Sequence, residues 1–198
     1  MESLTLHPEV RVLLDRYETE PTHALHVATL ARQLAGLELV APALDELERH
    51  ELEIAALLHD IGWAVVQADG KGHHKESARL IREFEWSTLS TEAVARVALT
   101  ARYHRKALPC DAHAPFMRLA PPDQARVRRT SALLRVADAL DRRHIQRVDR
   151  VSLQHLGDEP TVFVHSTDEV GAECLAAEKK GDLLRELMGG PVRYIAAG

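Results

Sequence analysis

With 198 residues the chain is long enough to bury a real core as one domain, or as one domain with a small appendage. Its two cysteines, Cys110 and Cys174, are too few for a disulfide framework and have no zinc-ligand spacing around them, which points to a reducing compartment. A net charge of -5 argues against a general nucleic-acid binder. No apolar run is long enough to span a bilayer and the stretch 1–8 carries acid where a signal peptide carries base, so a cytoplasmic protein away from the membrane is expected.

The few aromatics and the many Leu, Ala, Arg and Glu residues favour helices. Pro8 suits the first turn of a short helix ending near Tyr17, where its missing N–H costs nothing. Pro21 and Thr22, the latter as N-cap, open a stronger helix that stops at Gly36. Its apolar stripe is Val27, Leu30, Ala31 and Leu34; four residues before Val27 stands His23, which therefore shares the buried face, whereas His26 falls at its edge. Pro42 and Asp45 begin a helix that runs through Ile54 and Leu58 into His59-Asp60, and Gly62 breaks it.

A polar loop over 67–72 leads to His73 and His74. The next helix has Ser77, Leu80, Ile81 and Phe84 on one face, and His73 lies four residues before Ser77, so His73 points inward and His74 one position round. Residues 91–104 make an amphipathic helix whose stripe of Val94, Val97 and Ala101 closes on His104. A long connection with Pro109, Pro115, Pro121 and Pro122 reads as a mobile loop or lid. From about Asp123 a helix resumes, and Asp138 sits inside its apolar run, where an unbound carboxylate is costly; Asp141, beside Arg142 and Arg143, reads as a surface ion pair. The segment 101–150 holds twelve Lys/Arg against five Asp, so the rest of the chain carries -12; such a basic segment is solvated helix surface or an attractor for phosphate. Beyond Arg150 the pattern turns to a hairpin around the turn 157–160, a helix over 169–188 and a last strand over 192–195. The expected architecture is mostly α, a helical bundle over 1–146 with a small β-β-α-β appendage over 147–198 packed on it.

His23, His59 with Asp60, His73, His104 and Asp138 thus point at one place from five helices. A core does not bury four imidazoles and two carboxylates unless a cation shares them. His-rich ligation with carboxylates suits Mn, Fe, Co, Ni or Zn better than Mg.

The order His, His-Asp, His, His, Asp on successive helices resembles the HD phosphohydrolase superfamily. The match is closer still to the HD-type domain at the C-terminal side of the exopolyphosphatase/guanosine pentaphosphatase family. It is carried by the segments 55–62 (AALLHDIG), 72–78 (GHHKESA), 102–109 (RYHRKALP) and 133–141 (LLRVADALD), and it covers nearly the whole chain. Two departures stand out. In that family polyphosphate chemistry belongs to an actin-like ATPase-type domain preceding the HD domain, and these 198 residues contain none, so catalysis is expected to run through the HD site. Trp63 stands where some two-metal HD proteins carry Lys.

The resemblance implies an HD-superfamily phosphohydrolase that cleaves a phosphoester or phosphoanhydride of a small phosphorylated substrate, nucleotides first, through a metal-activated hydroxide. His23, His59, Asp60 and Asp138 would hold one divalent transition metal, and Asp60 would bridge to a second held by His73, or His74, and His104. Asp60 and His59 stand at the chemical centre, His26 or His74 would protonate the leaving group, and Arg105, Lys106 and Arg142 would bind substrate phosphate. The alternative is a non-catalytic module that senses nucleotide or polyphosphate, or pairs with a second copy or with a separately made actin-like phosphatase. An RNA-binding phosphodiesterase would need exposed aromatics along the basic segment, where only Tyr103 and Phe116 are available.

Overall fold

In a computed structural model of the chain, residues 7–67 and 69–197 are described. The acidic start that argued against a leader peptide lies, but for its last two residues, outside them, as does one residue of the 67–72 loop. Among the described residues the chain forms nine α-helices and a three-stranded sheet, in the order α1 (Pro8–Tyr17), α2 (Pro21–Gly36), α3 (Glu46–Leu58), α4 (His73–Glu83), α5 (Thr91–Tyr103), α6 (Ala114–Met117), α7 (Pro121–Leu140), β1 (Arg150–Leu156), β2 (Glu159–His165), α8 (Gly171–Lys180), α9 (Asp182–Met188) and β3 (Arg193–Ala197). The architecture is mostly α with a small α/β piece at the C-terminal side, as expected. No helix is long and apolar enough to cross a membrane.

Helix starts follow the local chemistry. Asp45 and Glu48 form a capping box at α3, each satisfying the other's backbone N–H, and Ser90 accepts from Ala93 N at α5. At α2 the cap position is Glu20, not Thr22, because Pro21 already occupies the first helical turn. The expected loop before α7 is shorter than its prolines suggested. Pro121 lies within the first turn of α7 and Pro115 within that of the short α6, positions where a missing N–H is harmless.

Strands β1 and β2 pair antiparallel across the turn at Gly157, and β3 adds parallel to β2. The helix expected over 169–188 is two helices that break at Gly181. Glycine is a poor helix former, and the buried Arg135 guanidinium takes up both the Lys180 carbonyl and the Asp182 carboxylate on either side of the break. The larger hydrophobic cluster is continuous through both parts of the chain, from Val10 and Leu34 through Leu58, Ile81, Val97 and Leu133 to Val151, Val164, Leu183 and Tyr194. Buried ion pairs supplement it: Arg96 bonds Glu51 and Asp123, and Arg129 bonds Glu48.

Candidate metal centre

Each of the four central histidines sits where a helix begins or ends, and that placement fixes its ring. His59 and His104 follow the last residues of α3 and α5, where helix carbonyls lack partners; Nδ1–H of His59 donates to Ala56 O at 2.7 Å and that of His104 to Ala101 O at 2.7 Å. His73, the first residue of α4, donates from Nδ1 to Gly70 O at 2.9 Å. His23, in the first turn of α2, donates from Nδ1 to Asp141 Oδ2 at 2.8 Å. A carbonyl or carboxylate acceptor requires the proton on Nδ1, so all four rings turn Nε2 toward the middle, where the neutral form presents a lone pair.

Two trios of donor atoms meet there, His23/His59/Asp138 and Asp60/His73/His104, each within 4.8 Å. In the first, Asp138 Oδ1 lies 3.7 Å from His23 Nε2 and 3.8 Å from His59 Nε2. In the second, Asp60 Oδ1 lies 3.3 Å from His73 Nε2 and 3.5 Å from His104 Nε2, and the two Nε2 atoms are 3.4 Å apart. Asp60 Oδ2, 3.6 Å from His59 Nε2, joins the trios. Ligand bonds of about 2.1 Å to a shared cation put donors at such spacings. The Nε2 atoms of His23 and His59 and Oδ1 of Asp60 are buried without a hydrogen-bond partner. Such unpaired buried groups are costly, and two facing lone pairs repel, so the donor set fits a divalent cation.

Electrostatics agree. Burial pushes His104 down to about 3 and lowers His73, against the pull of Asp60, leaving both rings neutral with free lone pairs. Asp60 is held well below the usual carboxylate range: burial opposes its charge, but the neighbouring ring of His59, itself raised, more than offsets that. Burial likewise opposes a charge on His59, yet the carboxylates of Asp60 and Asp138 outweigh it and raise this ring.

Gly62 makes the close fit possible. A Cβ there would stand 2.1 Å from His73 O and 2.5 Å from Ser77 N, and Gly62 N donates to Ser77 Oγ, so the turn after His59-Asp60 lies directly on the first turn of α4.

The second trio and Asp138 of the first line a cavity of about 390 Å³ together with Arg105 and Arg142, whereas His23 and His59 do not line it. His26, His74 and Lys106 do not line it. His26 is half-buried on α2, and His74 stands edge-on to His73 and His104 with ring centroids 5.6 and 6.3 Å away. Sequence reasoning missed several neighbours. Asp141 is buried and bonds His23 and Gln146, contrary to the surface pair expected: α7 ends at Leu140, the chain turns back through His144 and Gln146 at positive φ, and the carboxylate swings inward. Its supposed partner Arg143 bonds Glu173 instead. Arg126, Arg128, Arg129 and Arg135 in the basic segment are likewise engaged in internal ion pairs. Trp63 stacks on His73 with centroids 4.6 Å apart, accommodated by Gly70, and His144 stacks on His23 at 3.7 Å. The departure of Trp63 from Lys was the one signal available for it.

The family model described as Ppx/GppA phosphatase, domain III matches residues 8–182. No curated protein matches the chain.

Proposed function

The chain belongs to the family of Ppx/GppA phosphatase domain III, and from that premise we propose that it is an HD-type, metal-dependent phosphohydrolase acting on a small phosphorylated substrate such as a nucleotide. The observation that carries this reading is the set of four imidazoles whose Nδ1 atoms are already committed to acceptors while their Nε2 atoms converge with Asp60 and Asp138. His23, His59, Asp60 and Asp138 would hold one cation and His73, His104 and Asp60 a second. The donor set suits Mn, Fe, Co, Ni or Zn, with Mg less favoured. Such an ion supplies a Lewis acid that lowers the pKa of water and offsets phosphoryl charge.

The chain's own residues do the rest. Asp60 and Asp138 line the cavity and would hold the cations at its floor. Arg105 and Arg142 stand on its wall and would orient phosphoryl oxygens by charge-assisted hydrogen bonds. Trp63 holds His73 flat and keeps water off one face of that ring. The shared core supports treating 1–146 and 147–198 as one working unit.

Elemental mass spectrometry of the purified protein and of Asp60→Ala, with phosphate release measured on the same samples against nucleotides, phosphomonoesters and tripolyphosphate, tests this. Between one and two transition metals per chain, lost together with phosphate release in the variant, is the expected result. Metal without turnover on any substrate would overturn hydrolysis in favour of a sensing module, and no metal at all would overturn the centre itself.

A further inference from the structure

Three cations on the cavity wall have no hydrogen-bond or ion-pair partner for their side chains among the described residues: Arg105 after α5, Arg142 after α7 and Lys180 at the end of α8. The fourth, Arg143, is already neutralised by two bonds to Glu173, at 2.6 and 2.7 Å. Lys180 differs from the other two in origin, because it comes from the C-terminal α/β part. It is half-buried, and no ion pair joins its ammonium to Asp138 or Asp182, the two carboxylates whose fields reach it. A cation so placed has lost much of its water without gaining a protein anion, an arrangement that favours an incoming one.

The placement of Lys180 is built, not incidental. Arg135, one turn before Asp138 on α7 and 3 % exposed, spends its guanidinium on both walls of the cavity. Nε donates to Lys180 O at 3.2 Å, Nη2 to both oxygens of Asp182 at 2.9 and 3.0 Å, and Nη1 to Tyr103 O at 3.1 Å and Lys106 O at 3.5 Å. The last two carbonyls bracket His104 and Arg105. One buried group therefore fixes the spacing between the Arg105 turn and the end of α8.

We propose that Lys180 is an anion-binding side chain of this cavity, that Arg135, anchored by Asp182, is its positioning residue, and that together with Arg105 and Arg142 it equips the site for a ligand with a second anionic group beyond the phosphoryl at the cavity floor. This rests on the reading of the centre as a phosphohydrolase site only for the place of the first phosphoryl. The C-terminal part is then a component of the binding site and supplies its preference between one and two anionic groups.

The test uses the full chain loaded with Mn²⁺, titrated with inorganic phosphate and with methylenediphosphonate, whose carbon bridge resists hydrolysis, and followed by calorimetry and by the fluorescence of Trp63 in a Trp86→Phe background. Wild type should bind the diphosphonate more tightly. Lys180→Met should lose about tenfold for the diphosphonate while phosphate affinity changes by less than about threefold, Mn²⁺ content staying the same, and Lys180→Arg should retain the preference. Asp182→Asn, a partly exposed site that leaves the core intact, should reduce the preference in the same direction. A diphosphonate affinity unchanged in Lys180→Met overturns the proposal, as does an equal loss of both ligands. If no Mn²⁺ binds but the Lys180-dependent preference persists, the metal reading fails and this one stands.

Discussion

Asp141 offers no donor to the cavity, yet it decides which nitrogen of His23 does. Its buried carboxylate accepts from His23 Nδ1 and from two groups of Gln146, and these bonds, set against the cost of burial, hold it below its ordinary range. Asp141→Asn keeps the shape and removes the charge that makes Nε2 basic. Metal affinity should fall by about 10- to 100-fold, measured by competition with a chromogenic chelator, with the fold intact by circular dichroism; an unchanged affinity would show that His23 is not a ligand. The six converging donors were legible from sequence because each ends or interrupts an apolar stripe: His23 four before Val27, His104 three after Ala101, Asp138 between two alanines. Asp141 and Lys180 were not. Their roles depend on where the chain turns after a helix ends, and neighbouring arginines made an ion pair the simpler account of Asp141.

Most helix starts followed from caps and prolines, though not the cap of α2 or the break at Gly181, and the way the helices lock together did not follow at all. Between α3, α5 and α7 the contact includes a buried polar link: Arg96 bonds Glu51 at 2.8 and 2.5 Å and Asp123 at 2.9 Å, with Glu51 only 3 % exposed. The pairing joins residues 45 positions apart, and nothing local in either helix marks it. Such a pair contributes less than its Coulomb energy, because both ions are desolvated, but removing one partner strands the other. Arg96→Met should therefore lower unfolding free energy by about 3–5 kcal/mol in urea titrations, and the double variant with Glu51→Leu should recover most of that loss. A single variant within about 0.5 kcal/mol of wild type would mean that water reaches Glu51 freely.

For the molecule as a whole, the net charge of -5 conceals how its ionisable groups are placed. Burial first, then the nearby His73, Lys106, Lys75 and Arg102, push His74 down to about 4. Glu9, on α1, is held down to about 2, chiefly by the Thr88 hydroxyl and then by Ser87 N, which tie the first helix to the turn before α5. Both groups bind protons more readily in the unfolded chain, so stability falls with pH through both: Glu9 loses the stabilisation of its hydrogen bonds, and His74 penalises the fold for keeping its ring buried and uncharged. For His74 the loss runs from its ordinary value of 6.5 down to about 4, and for Glu9 from 4.5 down to about 2. His59, raised despite its burial, works in the opposite direction, its contribution fading as pH rises. In the presence of a chelator, urea midpoints should decline from pH 7 to pH 5 and again toward pH 3. His74→Gln should flatten the upper part of that decline and Glu9→Gln the lower part. Divalent metal should steepen the upper part, because protons and cation compete for the same imidazole lone pairs and bound metal stabilises the native state by about 2.7 kcal/mol at a hundredfold excess over Kd. A midpoint that responds to pH but not to metal would separate the buried titrating groups from the proposed centre, leaving the former and removing the latter.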